Sequence, residues 1–157
     1  SDKTRMTDAQ KIIFLDIDGV VNSRRTCYAY GQLPHNACDK FFDDTALGML
    51  RTLCSQTNAA IVLSSSWRHS HSHYDLGNEL KLPIVDATIM HPTSIVPRGE
   101  EIQEWLNRHP GVTHYAIVDD NSDMLPSQLD NFVQTSFDEG LLFRDVTKMK
   151  NILLKDA

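Results

Sequence analysis

The stretch Lys11-Ile-Ile-Phe-Leu-Asp16-Ile-Asp18-Gly19-Val-Val21 decides how the chain is read. A segment of apolar, β-type residues ends in two carboxylates one residue apart, and a glycine follows. Side chains alternate along a strand, so Asp16 and Asp18 can share one side while Ile17 points away. Gly19 admits a turn conformation closed to most residues. Two acids held at the mouth of a sheet suit a nucleophile with a general acid/base, or a site for a hard cation. A strand end with two solvated acids is the plain alternative. A calcium-binding helix–loop–helix is excluded. With Asp16 in its first position, Val21 stands where that loop needs glycine and Cys27 where it needs a bidentate acid.

The rest of the chain frames this stretch as part of one domain. Its 157 residues suffice for a single core, and 41% apolar with 23% charged residues is the balance of a globular protein. Residues 1–10 are polar and read as a tail, leaving 11–157 as the domain. No apolar run approaches membrane-spanning length. The net charge of −6 argues against avid, non-specific binding to nucleic acid. Cys27, Cys38 and Cys54 are odd in number and form no C-x-x-C. No disulfide framework is expected, and a reducing, cytoplasmic compartment fits. Cys27, His35 and Cys38 match no standard zinc spacing.

Strands and helices alternate. Strands are expected at 11–15, 59–63, 84–89, 114–118 and 132–135. Asp44 can cap a helix over 45–56, where Ala46, Leu47, Leu50, Leu53 and Cys54 share a face. Further helices are expected over 98–109, near 122–130, and around Val146, Met149, Ile152 and Leu153. Residues 22–42 read as a long loop or small flap. His69, His71 and His73 alternate and read as part of a solvated loop. The order implies an α/β fold, a doubly wound, mainly parallel sheet with helices on both faces. Ligands of such sheets bind beyond the carboxyl ends of the strands. Asp16, Ser64 and the pair Asp119/Asp120 all fall at such ends.

Four signals therefore stand in order: Asp16-Ile-Asp18-Gly19, then Ser64 after Ala60-Ile-Val-Leu63, then Arg98 in Pro97-Arg-Gly-Glu-Glu101, then Asp119-Asp120-Asn-Ser-Asp123. In this the chain resembles the haloacid dehalogenase superfamily of phosphohydrolases, in a compact form without a large cap domain. The resemblance implies Asp16 as nucleophile, forming an aspartyl-phosphate, and Asp18 as general acid and then base. It implies Ser64 and Arg98 as phosphate ligands, Arg98 standing where lysine is usual. Ser65, Trp67 and Arg68 would line the substrate entrance. Mg²⁺ would be held by Asp16, the Asp18 carbonyl and a carboxylate of Asp120 or Asp119, the family pattern favouring Asp120. Asp123 would be a further ligand or a helix cap.

Neither 22–43 nor 68–97 carries the periodicity of a folded cap, so the site is expected to be open. An open site suits a phosphate on a macromolecule. The acidic balance favours a phosphoprotein, such as one bearing phosphotyrosine, over a polynucleotide 3′-phosphate or a small metabolite or nucleotide. The Ser-Ser-Trp-Arg and Asp-Asp-x-x-Asp variants are nevertheless similar to compact domains of RNA repair. A signalling receiver phosphorylated on aspartate is the rival from another class. Asp18 supplies the base that a receiver lacks, and Ala87-Thr88-Ile89 offers no obvious acceptor where a receiver needs one.

Overall fold

The computed structural model describes residues 9–31, 41–90 and 96–156. Five strands, β1 (Lys11–Leu15), β2 (Ala60–Leu63), β3 (Ile84–Ala87), β4 (His114–Asp119) and β5 (Phe132–Gln134), form one sheet. Its order is β3-β2-β1-β4-β5, and every pair is parallel. The helices are α1 (Arg24–Ala29), α2 (Asp44–Thr57), α3 (His73–Leu80), α4 (Arg98–Asn107) and α5 (Phe143–Leu154). Short 3₁₀ turns cover Ser66–His69 and Pro126–Asn131.

Alternation along β1 builds two cores. Ile13 and Leu15 face one side, where α2 contributes Leu50 and Leu53, α3 Leu76 and Leu80, and α5 Met149 and Leu153. Ile12 and Phe14 face the other, against Ile102 and Trp105 of α4. Phe14 meets Trp105 edge-on, with ring centroids 5.4 Å apart. A second edge contact, at 6.0 Å, is with Tyr115. The Trp105 indole N–H donates to the Asp86 carboxylate on β3 over 2.9 Å. Helix α4 is thereby tied to the sheet edge.

Register places the functional residues. Leu15 lies beside Leu63 on β2 and Val118 on β4. The next residues, Asp16, Ser64 and Asp119, therefore leave three adjacent strands at one level. The ladder continues through them, with Asp16 N–H donating to the Val118 carbonyl (3.1 Å) and Ser64 N–H to the Leu15 carbonyl (2.8 Å). The chain winds outward from β1 to β3, then crosses back to β4 on the other side of β1. The crevice at that reversal is where open parallel sheets bind ligands.

Most expected elements appear within two residues of their predicted bounds. Asp43 rather than Asp44 caps α2, its carboxylate accepting from Thr45 N–H (2.9 Å) and Ala46 N–H (3.2 Å). The segment expected near 122–130 is a 3₁₀ turn led by Pro126. Two helices were not expected. Ser23 caps α1 inside the supposed flap, of which residues 32–40 lie outside the described residues. Ser72 caps α3 directly after the histidine alternation. Because α3 buries Leu76 and Leu80 in the main core, it belongs to the helical layer and not to a lid. Cys27 is disulfide-bonded. The expectation of no disulfide framework is corrected by this, since an odd cysteine count still allows a bridge. The ground for a reducing compartment goes with it. Cys54 is the free cysteine among the described residues, and burial pushes its thiol up to about 12. No helix among the described residues is long and apolar enough to cross a membrane.

Phe14 is fully buried and links α4 to β4, so Phe14→Ala should destabilise the fold by about 3–5 kcal/mol. Urea denaturation followed by circular dichroism measures this; a loss below ~1 kcal/mol would show that this side of the sheet collapses around the cavity.

Candidate active site

The turn after β1 is shaped by its sequence. Val20 and Val21 N–H groups both donate to the Ile17 carbonyl, at 3.1 and 3.0 Å. Gly19 takes φ +80°, and a Cβ placed there would lie 2.3 Å from a carboxylate oxygen of Asp120. Only glycine both makes this turn and admits Asp120 against it. The Gly19 carbonyl accepts from the Thr135 hydroxyl (2.6 Å), and Gly19 N–H donates to Asn22 Oδ1 (2.9 Å). The turn bearing Asp16 and Asp18 is thus pinned to the loops after β4 and β5.

Asp16, Asp119 and Asp120 converge, each offering an oxygen within 4.8 Å of the others. Burial foremost, then the charge of Asp119 and a hydrogen bond with it, push the Asp16 carboxyl up to about 9. Burial likewise pushes Asp119 up to about 6, opposed by its bonds with Asn121 N–H and Asp16. Arg98 draws both down. Without a cation, burial and mutual repulsion favour a proton shared by the pair. Three hard oxygen donors with less than three units of charge form a donor set that fits Mg²⁺.

Ser64 follows β2 with its hydroxyl buried. Among the described residues nothing hydrogen-bonds its Oγ. An orphan buried hydroxyl costs about 1–3 kcal/mol, which a ligand oxygen would remove. The Ser64 carbonyl accepts from Arg98 Nη1. Arg98 is placed by α4, whose first N–H donates to the Asp123 carboxylate over 2.9 Å. Asp123 therefore anchors the start of α4, whose N-cap is Pro97, and holds Arg98 in reach of Asp16.

The Ser-Ser-Trp-Arg segment divides its labour. The Ser65 hydroxyl accepts from Trp67 N–H (3.2 Å) and so caps the 3₁₀ turn. Trp67 lies beside the site, its indole N–H donating to Asp18 Oδ1 over 3.1 Å. Arg68 turns inward. Its guanidinium donates to the Ser65 carbonyl (2.6 Å), to the Thr88 carbonyl (3.1 Å), to the Thr88 hydroxyl and to Glu101 (3.1 Å). The Arg68 and Glu101 side chains are only 7% and 8% exposed, which makes this a buried ion pair. Glu101 also lies 3.8 Å from Arg98. Thr88, Glu101 and Asn22 were not singled out in the sequence. Glu101 stands in the same Pro97-Arg-Gly-Glu-Glu101 segment as Arg98, and the Asp18-x-x-x-Asn22 spacing was a signal for the third.

The fold and its acid-lined carboxyl edge define a parallel α/β domain with a clustered-carboxylate site. A family model described as the HAD domain in Swiss Army Knife RNA repair proteins matches residues 12–146. The chain belongs to this family, a compact branch of the haloacid dehalogenase (HAD) superfamily, and is a phosphatase. Comparisons with curated proteins and with solved structures return no match.

Gly19→Ala should cost about 1–3 kcal/mol of backbone strain and displace Asp120. Mg²⁺ titration by calorimetry should show weakened binding in a protein that still folds; wild-type affinity would mean that Asp120 is not a ligand.

Proposed function

We propose that this phosphatase removes a terminal phosphate from a polynucleotide, with Mg²⁺ as cofactor. The family match to a domain of RNA repair proteins carries the substrate half of this reading. The open carboxyl edge supports it, since no described element covers the site as a lid. The acidic net charge, which favoured a phosphoprotein, is a property of the whole surface and says little about one crevice. A metabolite would lose the water exclusion and remote contacts that a lid supplies.

In this reading the carboxylates of Asp16, Asp119 and Asp120 and the Asp18 carbonyl would hold Mg²⁺, which when bound would offset their crowded charge and polarise the phosphoryl group. The Asp16 carboxylate attacks phosphorus, and the bond from phosphorus to the leaving oxygen breaks. Asp18 gives its proton to that oxygen. Asp18 then takes a proton from water, which attacks the aspartyl-phosphate. The Asp16–phosphorus bond breaks, inorganic phosphate leaves and both aspartates return to their starting state. The unpartnered Ser64 hydroxyl and Arg98 hold the phosphoryl oxygens. Arg68, occupied by Glu101 and Thr88, contributes positive potential from behind, and Trp67 borders the entrance.

Turnover should fall to background in Asp16→Asn, which keeps the shape and removes the nucleophile. Specificity is tested by kcat/KM on 3′- and 5′-phosphorylated oligonucleotides, a phosphopeptide panel and a metabolite panel. One class of oligonucleotide end should exceed the others at least tenfold; a phosphotyrosine peptide in the lead would return the assignment to phosphoproteins.

The cation has a separate signature. The Asp16 carboxyl is raised to about 9 by folding, so its contribution to stability is greatest below the ordinary carboxylate range and is lost as pH climbs towards 9. Mg²⁺ displaces that proton. The rise in Tm on adding Mg²⁺ should therefore grow between about pH 5 and about pH 8. A rise independent of pH in thermal melts would show that the cation binds elsewhere.

A further inference from the structure

Asp18 is held by two side chains that donate to the same oxygen. Asn22 Nδ2 lies 2.9 Å from Asp18 Oδ1, and the Trp67 indole nitrogen 3.1 Å from that oxygen. Among the described residues none donates to Oδ2. The Asn22 amide has its orientation fixed, because Gly19 N–H occupies its oxygen and leaves Nδ2 for Asp18. Asn22 is itself buried. The Trp67 ring is fixed as well. Phe42 lies 5.6 Å from it and His71 4.8 Å, and its backbone N–H is held by Ser65.

A neutral carboxyl group carries one proton, and an oxygen already accepting two hydrogen bonds is the poorer place for it. From this geometry we infer that Asn22 and Trp67 are positioning residues that reserve Asp18 Oδ2 as the one atom that gives and takes the catalytic proton. The inference rests on Asp18 being the general acid/base of the proposed reaction. In the first half-reaction the Oδ2–H proton passes to the leaving oxygen as its bond to phosphorus breaks. In the second, Oδ2 receives a proton from the water that forms its bond to phosphorus. Oδ1 keeps its two donors throughout, so the carboxyl group need not rotate between the steps. Without them, rotation about the side chain would present either oxygen, and proton delivery would lose its alignment.

Proton donation matters for a poor leaving group and little for a good one. The test compares kcat/KM for a simple alkyl phosphate and for 4-nitrophenyl phosphate, in the presence of Mg²⁺, in wild type, Asp18→Asn, Trp67→Phe and Asn22→Asp. This ratio reports only the step up to aspartyl-phosphate formation. Trp67→Phe keeps the ring between Phe42 and His71 and removes the donor. Asn22→Asp keeps the acceptor for Gly19 N–H and faces Asp18 with an oxygen. In Asp18→Asn the alkyl ester should lose about a hundredfold more than the aryl ester. Trp67→Phe should show the same bias at about tenfold, and Asn22→Asp at least as much. Equal losses on both esters in Trp67→Phe and Asn22→Asp, beside a biased Asp18→Asn, would overturn the positioning role and leave Asp18 as acid. An unbiased Asp18→Asn would overturn the acid assignment, and the inference with it.

Discussion

The repulsion among Asp16, Asp119 and Asp120 is the constraint around which the rest is arranged. Unit charges this close repel by about 3–4 kcal/mol per pair at an effective dielectric of ~20. Three such pairs rival the ~5–15 kcal/mol that holds a typical domain together. Strand register forces the crowding, because β1 and β4 end side by side and Asp120 is pressed against Gly19. The proton shared by Asp16 and Asp119 is the strain's signature when no cation is bound. In the proposed reaction Asp16 must lose that proton, and a bound cation would favour the loss.

Positive charge on the opposite side is rationed. Arg98 and Arg68 flank Glu101, which absorbs much of the charge of both. Arg68 is thereby locked to Ser65 and Thr88, where it braces the ends of β2 and β3 behind Ser64. Arg98 is left with its carbonyl contact to Ser64 and its pull on Asp16. Breaking such a buried pair exposes an uncompensated charge and is expensive. The loss of Glu101 would therefore reach Ser64 and Asp16 through both arginines.

What the sequence disclosed was whatever depends on periodicity and chain order. Alternation in Lys11–Leu15 and Ala60–Leu63 places Asp16 and Ser64 at strand ends without any knowledge of neighbours. The hydrophobic face of α2 is equally plain. Contacts between distant residues were not legible. Trp67 and Asp18 are 49 residues apart, and Arg68 and Glu101 33 apart. Nothing local reveals that Arg68 turns inward. Helix α3 escaped notice because two leucines at i and i+4 in eight residues, with Gly77 between, barely register as a period. The choice between Asp119, the last residue of β4, and Asp120 is likewise a matter of side-chain direction at the strand's end, where alternation no longer rules.

Gly99 shows how tightly two parts of the site are geared. A Cβ there would lie 2.6 Å from both the Leu125 nitrogen and the Gln128 side-chain oxygen, and Gln128 in turn donates to the Gly99 carbonyl over 2.8 Å. With Asp123 anchoring the same helix, the start of α4 and the segment after β4 are meshed along their backbones. An added residue between Asp120 and Asp123 could not be taken up as slack; it would drag Arg98 with it. The tolerance of this domain to length variation is therefore uneven. Turns at the amino ends of the strands, such as that around Gly111, where a Cβ meets open space, can lengthen freely. The start of α4 and the segment from Asp120 to Gln128 behave as a single cast piece, and their spacing is a more exacting signature of the site than the identity of most residues within them.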